Sequence, residues 1–168
     1  MKFFPWIGAL ALVTVISMSG CKQELEIVDG LTHPDLVNGN SLVFGWFSGE
    51  CEGESCIEIF KIQDNRIYED TRDRYPQGGT WYKGSYQELA PEHFERAMKL
   101  LDLFPAQLLD ELEPMIGTPD YADGGGVFIQ YDFDGVKRNW SIDQIDQNIP
   151  EYILEFKAEV NRVIYSLQ

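Results

Sequence analysis

Val127-Phe128-Ile129-Gln130-Tyr131-Asp132-Phe133-Asp134-Gly135-Val136-Lys137-Arg138-Asn139-Trp140-Ser141-Ile142 is the stretch whose reading decides the fold. Asp134-Gly135 suits a two-residue type I′ turn, which needs positive φ at both central positions. That turn sets the register: Phe133 opposite Val136, Tyr131 opposite Arg138, Ile129 opposite Trp140, Val127 opposite Ile142. These pairs share one face, and Asp132, Lys137, Asn139 and Ser141 occupy the other. One apolar and one mostly wet face are what an antiparallel sheet covered on a single side requires.

Upstream, more strands are expected. Leu42 to Phe47 is an apolar, aromatic run bounded by serines and Gly49. Ile57 to Ile62 puts Ile57 and Ile59 on one face and Phe60 and Ile62 on the other. Gln63-Asp64-Asn65-Arg66 reads as a turn, since Asp and Asn bond their own backbone and tolerate unusual φ, and Ile67 to Asp70 completes a meander. Thr71 to Thr80, broken by Pro76 and Gly78-Gly79, is a loop before a strand over Trp81 to Gln87.

Helices fill the rest. Pro91 fits a first helical turn because its missing N–H would be unpaired there. Phe94, Ala97, Met98 and Leu101 follow as an apolar stripe with Phe104 on its flank. Pro105 starts a shorter helix with Leu108, Leu109 and Leu112 on one side, and Pro114 ends it. The last helix is expected from Asn148, capped there and supported by Glu151, with Ile153, Phe156, Val160, Val163, Ile164 and Leu167 inward. The fold class is α+β: an antiparallel sheet of about five to six strands with about three helices packed mainly on one face.

The N-terminus has the three parts of a secretory signal. Lys2 is its charge, Trp6 to Met18 its uncharged apolar run, Ser19 and Gly20 its small residues. The run is shorter than the roughly 20 residues a membrane span needs. Met18-Ser19-Gly20-Cys21 reads as a lipobox, so residues 1–20 are expected to be removed and Cys21 to be acylated. Residues 21–40, broken by Gly30, Pro34 and Gly39, form a tether, part of which can dock on the globular domain over 41–168. Several acyl chains make such an anchor effectively permanent. Lys22 in place of Asp is compatible with the outer membrane, and Lys22-Gln23-Glu24-Leu25-Glu26 loosely resembles surface-export signals, although a solvated tether is the simpler reading.

The formal net charge is −15, and losing the segment with Lys2 makes it more negative. No basic footprint for nucleic acid is present. An acidic surface suits an envelope protein or another cationic partner, or simply keeps the protein soluble.

Three cysteines leave one over in an exported protein. Acylation of Cys21 accounts for it, and Cys51 and Cys56 are expected to close a hairpin loop by a disulfide worth about 2 kcal/mol. Zinc or redox chemistry fits the spacing less well. Glu50, Glu52 and Glu54 make this loop an acidic candidate binding tip.

Gly117-Thr118-Pro119-Asp120-Tyr121-Ala122-Asp123-Gly124-Gly125-Gly126 offers Asp120 and Asp123 as a candidate cation site, calcium being the hard cation that carboxylates and carbonyls suit. It lacks the EF-hand pattern. The competing reading, which we favour, is a structural loop whose aspartates accept backbone N–H groups.

His33 and His93 are the only histidines, and no G-x-S-x-G occurs. The expected role is therefore a lipid-anchored, non-catalytic binding or structural protein without a cofactor. Alternatives are a hydrolase of envelope carbohydrate built on clustered carboxylates, with Trp46, Trp81 and Tyr82 as stacking surfaces, and an acidic inhibitor of a basic secreted enzyme.

Phe47-Ser48-Gly49-Glu50-Cys51-Glu52-Gly53 and the 117–125 loop together resemble motifs of a group of small, uncharacterised bacterial lipoproteins, over roughly residues 42–167. Some members carry cysteines where Thr118 and Tyr121 stand here, so thiol chemistry at that loop is disfavoured. The resemblance implies a shared fold and no particular activity.

Overall fold

One mixed sheet of seven strands organises the residues that the computed structural model describes, 35–49 and 56–168. The chain divides into two units, Met1–Gly30 and Leu31–Gln168, and the described residues all belong to the second. The strands are β1 (Ser41–Phe47), β2 (Ile57–Gln63), β3 (Arg66–Asp70), β4 (Tyr86–Glu88), β5 (Met115–Ile116), β6 (Gly126–Phe133) and β7 (Val136–Asp143). Their order is β4-β3-β2-β1-β6-β7-β5, antiparallel throughout except where β5 runs parallel to β7.

The expected hairpin forms in the expected register, from Phe133 opposite Val136 to Val127 opposite Ile142. Asp134 (φ 51°) and Gly135 (φ 84°) both take the left-handed conformation of a type I′ turn. Asp64 (φ 52°) and Asn65 (φ 57°) do the same between β2 and β3. The sheet exceeds the expected five to six strands because Met115 and Ile116, after the helix-breaking Pro114, pair with Ser141 and Ile142. The Ser141 N–H also donates to the Pro114 carbonyl at 2.8 Å.

The helices lie on one face. α1 (Pro91–Ala97) and α2 (Lys99–Asp102) meet at Met98, whose own dihedrals stay helical (φ −60°, ψ −28°). The segment after Pro105 is a 3₁₀ turn over Ala106–Asp110 rather than a second α-helix. Leu108 is buried there but Leu112 is 81% exposed, because the turn ends before it. α3 (Glu151–Leu167) starts after Pro150, with no side-chain cap. The expected capping by Asn148 does not occur because Asn148 ends a 3₁₀ turn (Asp146–Asn148) two residues before the Pro150 cap position, and its amide donates to Asp143 at 2.7 Å. Ile153, Phe156, Val160, Val163 and Ile164 of α3 join Phe44, Ile129 and Trp140 of the sheet in the main core. Removing a side chain as large as Phe156 from such a core costs about 3–5 kcal/mol. From the stretch read as tether, Leu36 packs here too, at 1% exposed, while its neighbours Asp35 and Val37 stay exposed.

The opposite face is not wet. Val43, Phe47, Ile57, Ile59 and Phe128 form a second buried cluster, with Tyr82 and Tyr86 packed against it. The cover is the segment between β3 and β4. The strand expected over Trp81 to Gln87 forms only at β4, because the backbone of Tyr82 pairs with a side chain instead. Gln130 Oε1 accepts the Tyr82 N–H at 2.7 Å and its Nε2 donates to the Tyr82 carbonyl at 3.3 Å. Asn139, directly opposite Gln130 in the ladder, accepts from Gly79 N–H (3.0 Å) and donates to the Thr80 carbonyl (2.9 Å). Two neighbouring amides thus replace a strand partner. At the segment's other end the buried Asp70 accepts from the Tyr82 hydroxyl and, at 2.5 Å, from the Ser85 N–H.

Candidate functional site

The 117–126 loop assembles as a fastening rather than an open cradle. Asp120 (φ 61°), Ala122 (φ 51°) and Asp123 (φ 59°) take left-handed conformations that curl the loop tightly. Asp120 Oδ1 accepts from Gly49 N–H at 2.7 Å and Gly125 N–H at 3.2 Å, and Oδ2 accepts from the Tyr75 hydroxyl at 2.5 Å. One carboxylate therefore joins the end of β1, its own loop and the segment over the second face. Burial, and then the bond to Asp120, raises the Tyr75 phenol above its ordinary range, which keeps it protonated and donating. Asp123 is exposed, and its side chain packs beside Gly49. Among the described residues, no group of three or more His, Cys, Asp or Glu side chains is arranged to hold a metal ion.

A second fastening centres on Asp143, 3% exposed. Its Oδ2 accepts from Thr118 N–H (2.9 Å), Thr118 hydroxyl (3.0 Å) and Asn148 Nδ2 (2.7 Å), and its Oδ1 from Ile145 N–H (2.8 Å). Burial alone would push this carboxyl up, but the four donors outweigh it and hold it at about 2. Beside it, buried Lys157 of α3 reaches the Gln144 carbonyl at 2.7 Å and Asp146 at 2.6 Å.

Cys56 is buried and disulfide-bonded. Its carbonyl accepts the Ser48 N–H at 2.8 Å, extending the β1–β2 ladder. Cys21, Cys51, Glu50, Glu52 and Glu54 lie outside the described residues.

The feature with the shape of a ligand site was not singled out by sequence. A cleft of about 310 Å³ opens between the helical side and the end of the β6–β7 hairpin. Leu42, Leu101 and Leu109 supply aliphatic walls. Three aromatic rings stack along it: Phe104 on Tyr131 with centroids 4.8 Å apart, Tyr131 on Phe133 at 4.5 Å. Asp35 and Asp134, both exposed, complete the lining. Asn40 braces this end, accepting the Asp134 N–H at 3.0 Å and donating to the Asp35 carbonyl at 2.8 Å. Burial first, then the charges of Asp134 and Asp35, raise the Tyr131 phenol, so that it remains neutral. Volume, apolar walls and a few convergent polar groups are the attributes of a small-molecule pocket. The inward side of Tyr131 and Phe133 was legible in the hairpin register; the approach of Phe104, from a distant helix end, was not.

Comparison with protein-family models, curated proteins and solved structures finds no match to this chain.

Proposed function

We propose that this chain is a lipid-anchored bacterial envelope protein whose domain binds a small ligand without transforming it. The observation that carries the binding role is the cleft walled by Phe104, Tyr131 and Phe133, since concave apolar surface with an aromatic face and polar rim is where ligand burial is most favourable. The fastenings support a non-catalytic reading: Asp120, in the glycine-rich loop, and Asp143, which binds its Thr118, are occupied with backbone and side-chain donors. The anchor rests on Met18-Ser19-Gly20-Cys21, and placement at the outer membrane on Lys22 after the acylated position. Among the described residues no helix is long and apolar enough to cross a membrane.

Each half has its own test. Cys21→Ser is expected to abolish incorporation of labelled palmitate and release the protein from membranes; membrane association unchanged in that variant would refute the anchor. Ala106, exposed on the cleft lining, can be replaced by Trp to fill the cavity. Ala106→Trp is expected to abolish uptake of small phenyl-bearing probes while leaving the unfolding midpoint in place; uptake unaffected by it would remove the cleft from consideration.

A further inference from the structure

We propose that a second site, between the end of β1 and one flank of α3, takes an uncharged sugar ring. A cavity of about 200 Å³ lies there, lined by Trp46, Gln144, Asn161, Ile164 and Tyr165. Its geometry follows from the chain. Trp46, next to last in β1, stands opposite Val127 and packs against the helix-covered core. Asn161, Ile164 and Tyr165, spaced three and four apart, share one side of α3. Gln144 is fixed beside that helix through both its backbone and its side chain. Lys157 Nζ donates to its carbonyl at 2.7 Å, and Asn161 Nδ2 donates to its Oε1 at 3.3 Å. The polar part of the site is therefore positioned before a ligand arrives, which lowers the cost of binding.

Two kinds of group meet at this cavity. Trp46, half-buried, and Tyr165, 77% exposed, supply aromatic surface. Neither ring stacks on another among the described residues. The face of an aromatic ring is its negative side, and the C–H groups along one side of a pyranose are weakly positive. Gln144 and Asn161 supply the polar part. Their mutual bond engages one N–H of Asn161 and the carbonyl oxygen of Gln144. Among the described residues, no other bond engages Gln144 Nε2 or Asn161 Oδ1, so hydrogen-bonded neighbours present a donor and an acceptor. A sugar hydroxyl is both donor and acceptor, and two adjacent hydroxyls answer this pair. Size decides against a purely apolar ligand. The cavity is smaller than the roughly 300 Å³ at which drug-sized ligand pockets begin, so an occupant is buried on one side only. An apolar molecule would desolvate the two amides without replacing their hydrogen bonds. A pyranose covers the aromatic surface with its C–H side, bonds the amides through hydroxyls and leaves its other hydroxyls in water.

Tyr165 and Asn161 can be changed with little structural disturbance: both lie on the outer part of α3, where Ala is the best helix former. The experiment is a saturation-transfer NMR titration of the full chain in lipid nanodiscs, with empty nanodiscs as blank. The probes are methyl β-glucopyranoside, methyl β-galactopyranoside and 2-phenylethanol, and urea unfolding checks that each variant is folded. At least one glycoside is expected to saturate, and to bind weaker by about fivefold or more in Tyr165→Ala and in Asn161→Ala. Its binding is expected to be unchanged in Tyr165→Phe, which keeps the ring, and in Ala106→Trp, which fills the other cleft. Absence of saturation by both glycosides would overturn the inference. So would glycoside binding that Tyr165→Ala and Asn161→Ala leave unmoved, since the sugar would then sit elsewhere. Equal loss in Tyr165→Phe and Tyr165→Ala would remove the ring contact on which the inference rests. Tighter binding of 2-phenylethanol than of either glycoside in Ala106→Trp, lost when Tyr165→Ala is added, would reveal an apolar depression without selectivity for sugar and overturn it as well. The cleft walled by Phe104 keeps its own test in Ala106→Trp, so the two sites can fail separately.

Discussion

The two faces of the sheet are buried by different means. On one, α1, α2 and α3 lay apolar stripes across Phe44, Ile129 and Trp140, and the stabilisation comes from removing large side chains from water. On the other, a mostly irregular segment covers Val43, Ile59 and Phe128, and it is held by directed bonds: Gln130 and Asn139 to its backbone, Asp70 to Tyr82 and Ser85, Asp120 to Tyr75. A helix satisfies its own backbone, so its cover needs only apolar contact. An irregular segment does not, so every buried N–H and carbonyl must find a partner on the surface beneath. That requirement places amides and carboxylates, rather than leucines, on the second face.

The largest effect is expected from the helical face. Phe156 of α3 is 1% exposed and stacks edge-on to Phe104 at 5.5 Å. Phe156→Ala is expected to cost about 3–5 kcal/mol, lowering the midpoint of urea unfolding with no separate early transition. A loss under about 1 kcal/mol would mean that α3 contributes little to the global fold and would break the contrast between the faces.

Asp143, at the end of β7, comes next. Its carboxyl sits at about 2, below its ordinary value, so its contribution is present above the unfolded-state range near pH 4 and is lost as pH falls through about 2. Stability is expected to decline over that window by about 2 kcal/mol from this residue. Asp143→Asn is expected to lose a similar amount at pH 7 and to flatten that part of the acid limb in pH-dependent chemical denaturation. An acid limb identical in the variant would show that its four donors do not discriminate charge.

The uneven legibility of the sequence follows from the same contrast. Apolar periodicity locates the helix-covered face well: the stripe of α3 and the inward side of the hairpin both lie where their spacing puts them. β2 already declared two-sided burial, with Ile57 and Ile59 opposed to Phe60 and Ile62. The hairpin's other side did not, because a Gln that replaces a strand partner is indistinguishable in sequence from a Gln that meets water. Gln130 is 4% exposed for that reason. Asn148 and the parallel β5 escaped for a related one: their partners, Asp143 and Ser141, are brought close only by tertiary structure. In the cleft, Tyr131 and Phe133 were placed by register, whereas the arrival of Phe104 depends on how α2 ends.

The smallest effect tests the second face most directly. Gln130→Ala removes both bonds to Tyr82 and leaves that backbone N–H without its partner. The expected global cost is about 1 kcal/mol, because a net hydrogen bond is worth that order and the loop can move to reach water. The distinguishing signature is local. Hydrogen exchange is expected to quicken in Thr71–Ser85, with β1 and β6 remaining protected, since the cover can lift as a unit separate from the sheet. Asn139→Ala, which frees Gly79 and Thr80 nearer the exposed rim, is expected to act in the same direction and more weakly. If instead either substitution lowers protection in β1 and β6 as much as in the cover, the second face is part of the global cooperative unit, and its polar fastenings are equivalent in role to the apolar packing across the sheet.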